Sequence, residues 1–162
     1  MPALILPLVD AATHWPARGA LVGLDLGTKT IGVAVSDPDR RLATGVETVQ
    51  RKQFKQDAAR LLAIAAERKA AGFVLGLPIN MDGSEGPRAK LVRNFADRIA
   101  ARTGRQVRFQ DERLTSSAAD WAMARSGLTH KQKKERRDAL AAAAVLTDFL
   151  AALPKPAEGG AT

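Results

Sequence analysis

The chain has 162 residues, no cysteine, 25 Lys+Arg against 17 Asp+Glu, and a formal net charge of +8. The lack of thiols excludes a disulfide framework and any thiolate metal site, and it suits a reducing cytoplasm. No apolar run reaches the roughly 18 residues of a membrane span, and the basic balance points to a polyanion, nucleic acid being the commonest, with simple solubility as the bland alternative.

Residues 1–19 open on the apolar stretch MPALILPLVD, which lacks a basic flank and is interrupted by Pro7. They are expected to form a flexible extension rather than a signal peptide. Residues 20–26 (ALVGLDL) and 30–36 (TIGVAVS) read as strands joined by the hairpin-length turn Gly27-Thr28-Lys29. A third strand is expected over 41–49, after the turn at Asp37-Pro38-Asp39, which completes an antiparallel meander.

The period then changes. Ala58, Leu61, Leu62, Ala65 and Ala66 recur at helical spacing within 55–70, and Gly72 is expected to stop that helix. FVLGL (73–77) reads as a buried parallel strand, followed by a loop to Pro87. A second helix is expected over 87–103, with Leu91, Val92, Phe95 and Ile99 on one side, and a fifth strand over 105–113. Thr115 or Ser116 can cap a third helix ending at Gly127; HKQKKERR reads as a basic link, and 138–153 as a last, Ala-rich helix. Residues 154–162 are expected to be a disordered tail. The order βββαβαβαα over residues 20–153 argues for one α/β domain. Its mixed five-stranded sheet is antiparallel through the first three strands and parallel beyond, with helices on both faces.

Certain acids sit oddly in this pattern. Asp25 lies among Val22, Leu24 and Leu26, and alternation puts it on the face of Gly23 and Gly27. Small neighbours there leave room for a ligand or for close backbone approach. Asp111 and Glu112 end the fifth strand and point to opposite faces, so at most one shares a site with Asp25. Asp138 begins the last helix, with Ala141, Ala142 and Val145 on its face.

Such carboxylates can converge at one edge of a mixed sheet. Oxygen ligands without His or Cys select Mg²⁺ or Mn²⁺. Two such ions about 4 Å apart would clamp a phosphodiester for attack by water. Without a cation, converged acids would raise each other's pKa. Taken singly, Asp138 reads as a helix cap or first-turn acid, and Glu112 beside Arg113 as an exposed ion pair. Asp25 is the hardest to explain as surface decoration.

Two further stretches bear on binding. The glycines of GLPINMDGSEGP and the helix start near Pro87 could present backbone N–H groups to a phosphate, although no Gly-Lys-Ser/Thr makes it a Walker loop; an ordinary helix-entry loop fits the spacing equally well. Lys131, Lys133, Lys134, Arg136 and Arg137 can neutralise backbone phosphates without reading sequence, a solvated charge run being the usual alternative. Their position just before Asp138 favours a substrate-facing loop. With five Phe, two Trp and no Tyr, a stacking platform for single strands is weak. His14 and His130 fall in predicted linkers and receive no role.

LDLGTKTIGVAVSD, VLGLPINMDGSEGP, DERLTS and RRDALAAAAVL occur in that order. Together they resemble the YqgF family of bacteria, also called RuvX, over about residues 20–152. The resemblance implies an RNase H-like fold and a metal-dependent nuclease associated with trimming the 5′ end of precursor 16S rRNA. The family's first-strand acid falls on Asp25, the acid of its DER motif on Glu112 and its last-helix acid on Asp138; Asp111 is a further candidate ligand. In that reading Asp25 bridges two Mg²⁺ or Mn²⁺ ions, and Glu112 and Asp138 each complete the coordination of one. By charge and position, Lys29 in the hairpin turn is a candidate contact to the scissile strand, and Arg113 and Arg137 are candidates to steady phosphates.

The implied setting is cytoplasmic, with a precursor rRNA or a branched or single-stranded DNA as partner, no membrane, and a monomer or homodimer as the working unit. The competing enzyme is a structure-selective DNase acting on Holliday junctions, for which a symmetric substrate favours a homodimer. A non-catalytic nucleic-acid-binding module is a different class, and retention of all three acids argues against it. DLGTKT also resembles the phosphate loop of sugar kinases and actin-like ATPases, but those need two such domains.

Overall fold

A computed structural model describes residues 19–112 and 130–153. The expected N-terminal extension before Gly19, Arg113, the helix after Thr115 and the C-terminal tail lie outside the described residues. The elements are β1 (Leu21–Leu26), β2 (Thr30–Ser36), β3 (Ala43–Gln50), α1 (Phe54–Glu67), β4 (Gly72–Leu77), α2 (Pro87–Thr103), β5 (Gln106–Asp111) and α3 (His130–Ala152). They build one five-stranded sheet in the order β3-β2-β1-β4-β5. β2 pairs antiparallel with β1 and β3, while β4 pairs parallel with β1 and β5, as expected.

Strand alternation sorts the side chains into two cores. Val22, Leu24 and Leu26 of β1, Ile31, Val33 and Val35 of β2, and Phe73, Leu75 and Leu77 of β4 pack under α1 and α2. The opposite face presents Leu21, Ala34 and Val74 to Ala142, Val145, Leu146 and Phe149 of α3. Helices therefore cover both faces. Among the described residues no helix is long and apolar enough to cross a membrane.

Several boundaries moved for local reasons. The Asp37 carboxylate accepts from the N–H groups of Arg41 (2.7 Å) and Leu42 (2.9 Å), which prolongs the turn and delays β3 to Ala43. α1 stops at Glu67, before Gly72. Lys69 takes a left-handed φ of 53°, and the Ala70 N–H donates to the Ala65 carbonyl at 2.8 Å, which turns the chain out of the helix. Gly72 opens β4 instead. α2 has the expected bounds, with Pro87 at its first position and Gly104 in the left-handed region at its end.

The largest correction concerns α3. It begins at His130, so HKQKKERR is helical rather than a link, and His130 opens a helix rather than lying in a linker. Lys, Gln, Glu and Arg are good helix formers, and nothing in that stretch breaks the helix. Asp138 therefore lies about two turns inside α3 and is neither its cap nor a first-turn acid.

α3 lies unusually close to the sheet because glycines pave its path. A Cβ on Gly45 of β3 would stand 2.7 Å from the Ala139 carbonyl oxygen, and one on Gly23 of β1 2.8 Å from Leu146 Cβ. A Cβ on Gly32 of β2 would overlap the Asp138 carbonyl group itself. Gly32→Ala must lift the helix, and overpacking of this kind costs about 1–3 kcal/mol. Urea unfolding is expected to show a loss at the upper end of that range; a loss below about 0.5 kcal/mol would mean that α3 is not held against β2.

Candidate active site

Asp25 stands near the end of β1 on the face covered by α3, and it is partly buried. Its register partner in β2 is Gly32. The parallel pairing of Gly23 with Val74 and Leu24 with Leu75 brings Gly76 next in line on the other side. The carboxylate is thus flanked on both neighbouring strands by residues without side chains.

Both vacancies are filled by acids. Glu112 follows β5, where its N–H donates to the Leu77 carbonyl at 3.2 Å. Its side chain lies over Gly76, where a Cβ would overlap the Glu112 carboxyl. From there the Glu112 carboxyl donates a hydrogen bond to Asp25. On the other side, the Asp138 backbone rests over Gly32, and its carboxylate accepts from Thr30 Oγ1 at 2.5 Å. The Asp138 charge acts on Asp25.

The electrostatics follow from this crowding. Burial pushes the Asp25 carboxyl above the usual range; the bond from Glu112 opposes that, Asp138 adds to it, and the Arg88 guanidinium opposes it. Glu112 is pushed up to about 8, first by burial, then by donating to Asp25 and by the Asp25 charge; Arg88 works against the shift and Asp111 with it. At neutral pH the pair shares a proton, which sits on Glu112.

The space beside Asp25 does not arise as the β1 pattern suggested. Gly23 is spent on Leu146, and the Gly27 N–H closes the turn on the Thr30 carbonyl at 2.8 Å. Gly32 and Gly76, one strand away on either side, do the work. Asp111 is in register with Leu77 and so faces the other side of the sheet; its charge still reaches Glu112. Lys29 is exposed in the hairpin turn. Arg136 and Arg137 are exposed on α3 just before Asp138; Lys131, Lys133 and Lys134 belong to its first turns.

The loop before α2 folds on itself. The Asn80 N–H donates to the Ser84 carbonyl at 2.8 Å, and the Ser84 N–H donates to Asp82 Oδ1 at 2.9 Å. Pro87 gives the helix start no N–H of its own, so this end offers fewer phosphate donors than its glycines suggest.

Thr30 and Arg88 escaped the sequence reading. Thr30 had a signal, lying two residues before Gly32 on the same strand face. Arg88 had none that separates it from the other arginines.

The donor set is entirely oxygen, which suits a hard divalent cation, and a cation would relieve carboxyls pushed up by burial, Asp25 also by the Asp138 charge and Glu112 by Asp25. Among the described residues the acids are not gathered into a ready-made cage, since Glu112 is bonded to Asp25 and Thr30 holds Asp138.

This sheet order, with α3 laid across it, defines an RNase H-like fold of the kind found in resolvases. The T. thermophilus RuvC structure, in complex with a Holliday junction substrate, superposes with a TM-score of 0.53 at 16% identity, covering 82% of this chain and 94% of that one. The fowlpox virus resolvase in complex with Holliday junction DNA gives 0.52 at 11% identity, covering 84% and 99%. The chain belongs to the RuvX, or YqgF, family: the model described as "RuvX: Holliday junction resolvase" matches residues 19–152. A Bradyrhizobium diazoefficiens relative named "Putative pre-16S rRNA nuclease" is 65% identical over 150 residues, 93% of each chain. One of the same name from Nitrobacter winogradskyi is 72% identical over 120 residues, 74% of each.

A pH dependence follows. Glu112 binds its proton more tightly in the folded state than at the ordinary 4.5, so without divalent cations its own contribution to stability is full below that value and is lost as pH rises through about 8. In chelator, Glu112→Gln is expected to flatten the thermal-melting profile across that window and to melt above the wild type at pH 8. An unchanged slope would show that Glu112 does not carry the proton.

Proposed function

We propose that the chain is a divalent-cation-dependent nuclease that hydrolyses phosphodiester bonds at Asp25, Glu112 and Asp138, and that it trims the 5′ end of precursor 16S rRNA. The observation that carries the reading is the half-buried Asp25, with the Glu112 carboxyl lying over Gly76 on one side and Asp138 resting over Gly32 on the other. Retaining so costly an arrangement makes sense where the acids meet a cation. The names of the relatives support precursor rRNA as the substrate.

Asp25, between the other two, would be the shared ligand, with Glu112 and Asp138 on either side and Asp111 as a further candidate. When bound, Mg²⁺ or Mn²⁺ would polarise the phosphoryl oxygen and lower the pKa of the attacking water. The chain's own residues do the rest. Glu112 would release its proton to solvent on becoming a ligand. Thr30 holds Asp138 in one rotamer by its hydroxyl bond. Lys131, Lys133, Lys134, Arg136 and Arg137, in the stretch of chain that leads to Asp138, would hold backbone phosphates, with Lys29 and Arg113 as further contacts. The cytoplasm is the natural setting for a cysteine-free chain acting on rRNA.

A Holliday junction or other branched DNA is the second reading, supported by the description of the family model. The chemistry would be the same, and a symmetric junction would favour a homodimer.

With Mg²⁺ or Mn²⁺ the protein is expected to cleave a precursor 16S rRNA fragment in preference to a four-way DNA junction. Asp25→Asn should lower the rate more than about 100-fold, the loss typical of removing a partner one shell further from a metal, while nucleic-acid binding survives. Cleavage by Asp25→Asn at the wild-type rate would remove the assignment, and preference for the junction would exchange the substrate. Alanine at Lys133 and Lys134 together should reduce the slope of log affinity against log salt by about two; an unchanged slope would take the start of α3 out of the interface.

A further inference from the structure

The first turn of α2 brings a cation to the acids. Arg88 is exposed, yet its Nη2 donates to the Leu26 carbonyl, in the residue that follows Asp25. The bond is 3.4 Å long, beyond the usual 2.7–3.2 Å, so it is weak and easily exchanged.

The neighbouring arginines are more firmly engaged. Arg51 Nη1 donates to the next carbonyl, that of Gly27, at 2.7 Å, and its guanidinium lies 5.8 Å from the Phe95 ring. Arg93 grips Glu85 through two bonds, of 2.6 and 2.9 Å. Arg98 stacks 3.8 Å from the centre of the Phe54 ring. Arg51 fastens the hairpin and the other two fasten α2, whereas Arg88 holds a long bond beside the acid pair.

We propose that Arg88 is a substrate-contacting residue whose guanidinium leaves the Leu26 carbonyl and pairs with a non-bridging phosphate oxygen of the strand lying at Asp25. The inference rests on the nuclease reading and adds a residue to it. A guanidinium fork matches phosphate bidentately, and such charge-assisted bonds are the strong ones. The carboxyls are a poorer long-term partner. Glu112 is already bonded to Asp25, and a divalent cation placed among the acids would repel a guanidinium at the same spot. Buried Ala89 at the next position fixes the helix turn from which Arg88 projects.

The test uses Arg88→Ala and Arg88→Lys, with folding checked by circular dichroism. Binding of a fluorescein-labelled RNA spanning the 5′ end of precursor 16S rRNA is measured by anisotropy over a salt series, in an Asp25→Asn background with Mg²⁺. Cleavage of the same RNA is measured in the wild-type background. Arg88→Ala should lower the salt slope by about one and reduce kcat by about 10–100-fold. Arg88→Lys should keep the slope, which reports charge, and recover only part of kcat, which reports the fork. If Arg88→Ala leaves both slope and kcat unchanged, the inference is overturned. A fall in kcat with an unchanged slope also overturns it, since Arg88 would then act through the acids alone. Failure of the unsubstituted protein to bind or cleave the RNA would instead strike the nuclease reading itself.

Discussion

A single absent atom governs the site. A Cβ on Gly32 would overlap the Asp138 carbonyl group, and Gly32 is the register partner of Asp25. α3 can therefore lie on the sheet only because β2 offers backbone there, and lying there is what puts Asp138 beside Asp25. Gly76 plays the matching part on the other flank by giving Glu112 room to cross the sheet. Acids from β1, from beyond β5 and from α3 converge because the strands between them lack side chains at the right register. The same packing buries Leu146 and Phe149, so apolar burial offsets the cost of the gathered charge.

That gathering stores unfavourable electrostatics. Asp25 and Glu112 are partly removed from water and hydrogen-bonded to one another, with the Asp138 charge acting on Asp25 and the Asp111 charge on Glu112. One shared proton and the nearby Arg88 relieve part of the strain. Structural ion pairs would be expected to balance their charges within the fold; among the described residues, Arg88 is the arginine that opposes the four acids Asp25, Glu112, Asp138 and Asp111 here. The imbalance is what a site awaiting added positive charge looks like. It also explains why the proton and Arg88 bear on the same pair and must be considered together.

The strand order and the two-sided helix cover were readable because they depend on period. Val22, Leu24 and Leu26 alternate cleanly, and a meander followed by βα units leaves few topologies. Asp25 was conspicuous because a carboxylate in such a run needs a reason. The contacts around it were not readable, because they depend on register. Gly23 and Gly27 lie nearest Asp25 in sequence, but the glycines that matter, Gly32 and Gly76, lie on other strands, and only the pairing shows which positions stand beside it. Asp138 was misplaced as a helix start because the charges of HKQKKERR suggested a link, whereas those residue types continue a helix without difficulty. Arg88 was invisible for a similar reason, since its reach to Leu26 depends on where α2 enters the sheet edge.

The central claim is that Glu112 holds a proton which a divalent cation must displace in order to bind at Asp25. Calorimetric titration of the metal-free protein with Mn²⁺ at pH 7, repeated in buffers of different ionisation enthalpy, counts the protons released. The account predicts release of about one proton per cation-binding event in the wild type and close to none in Glu112→Gln. Tight binding without proton release, or equal release from both proteins, would contradict it.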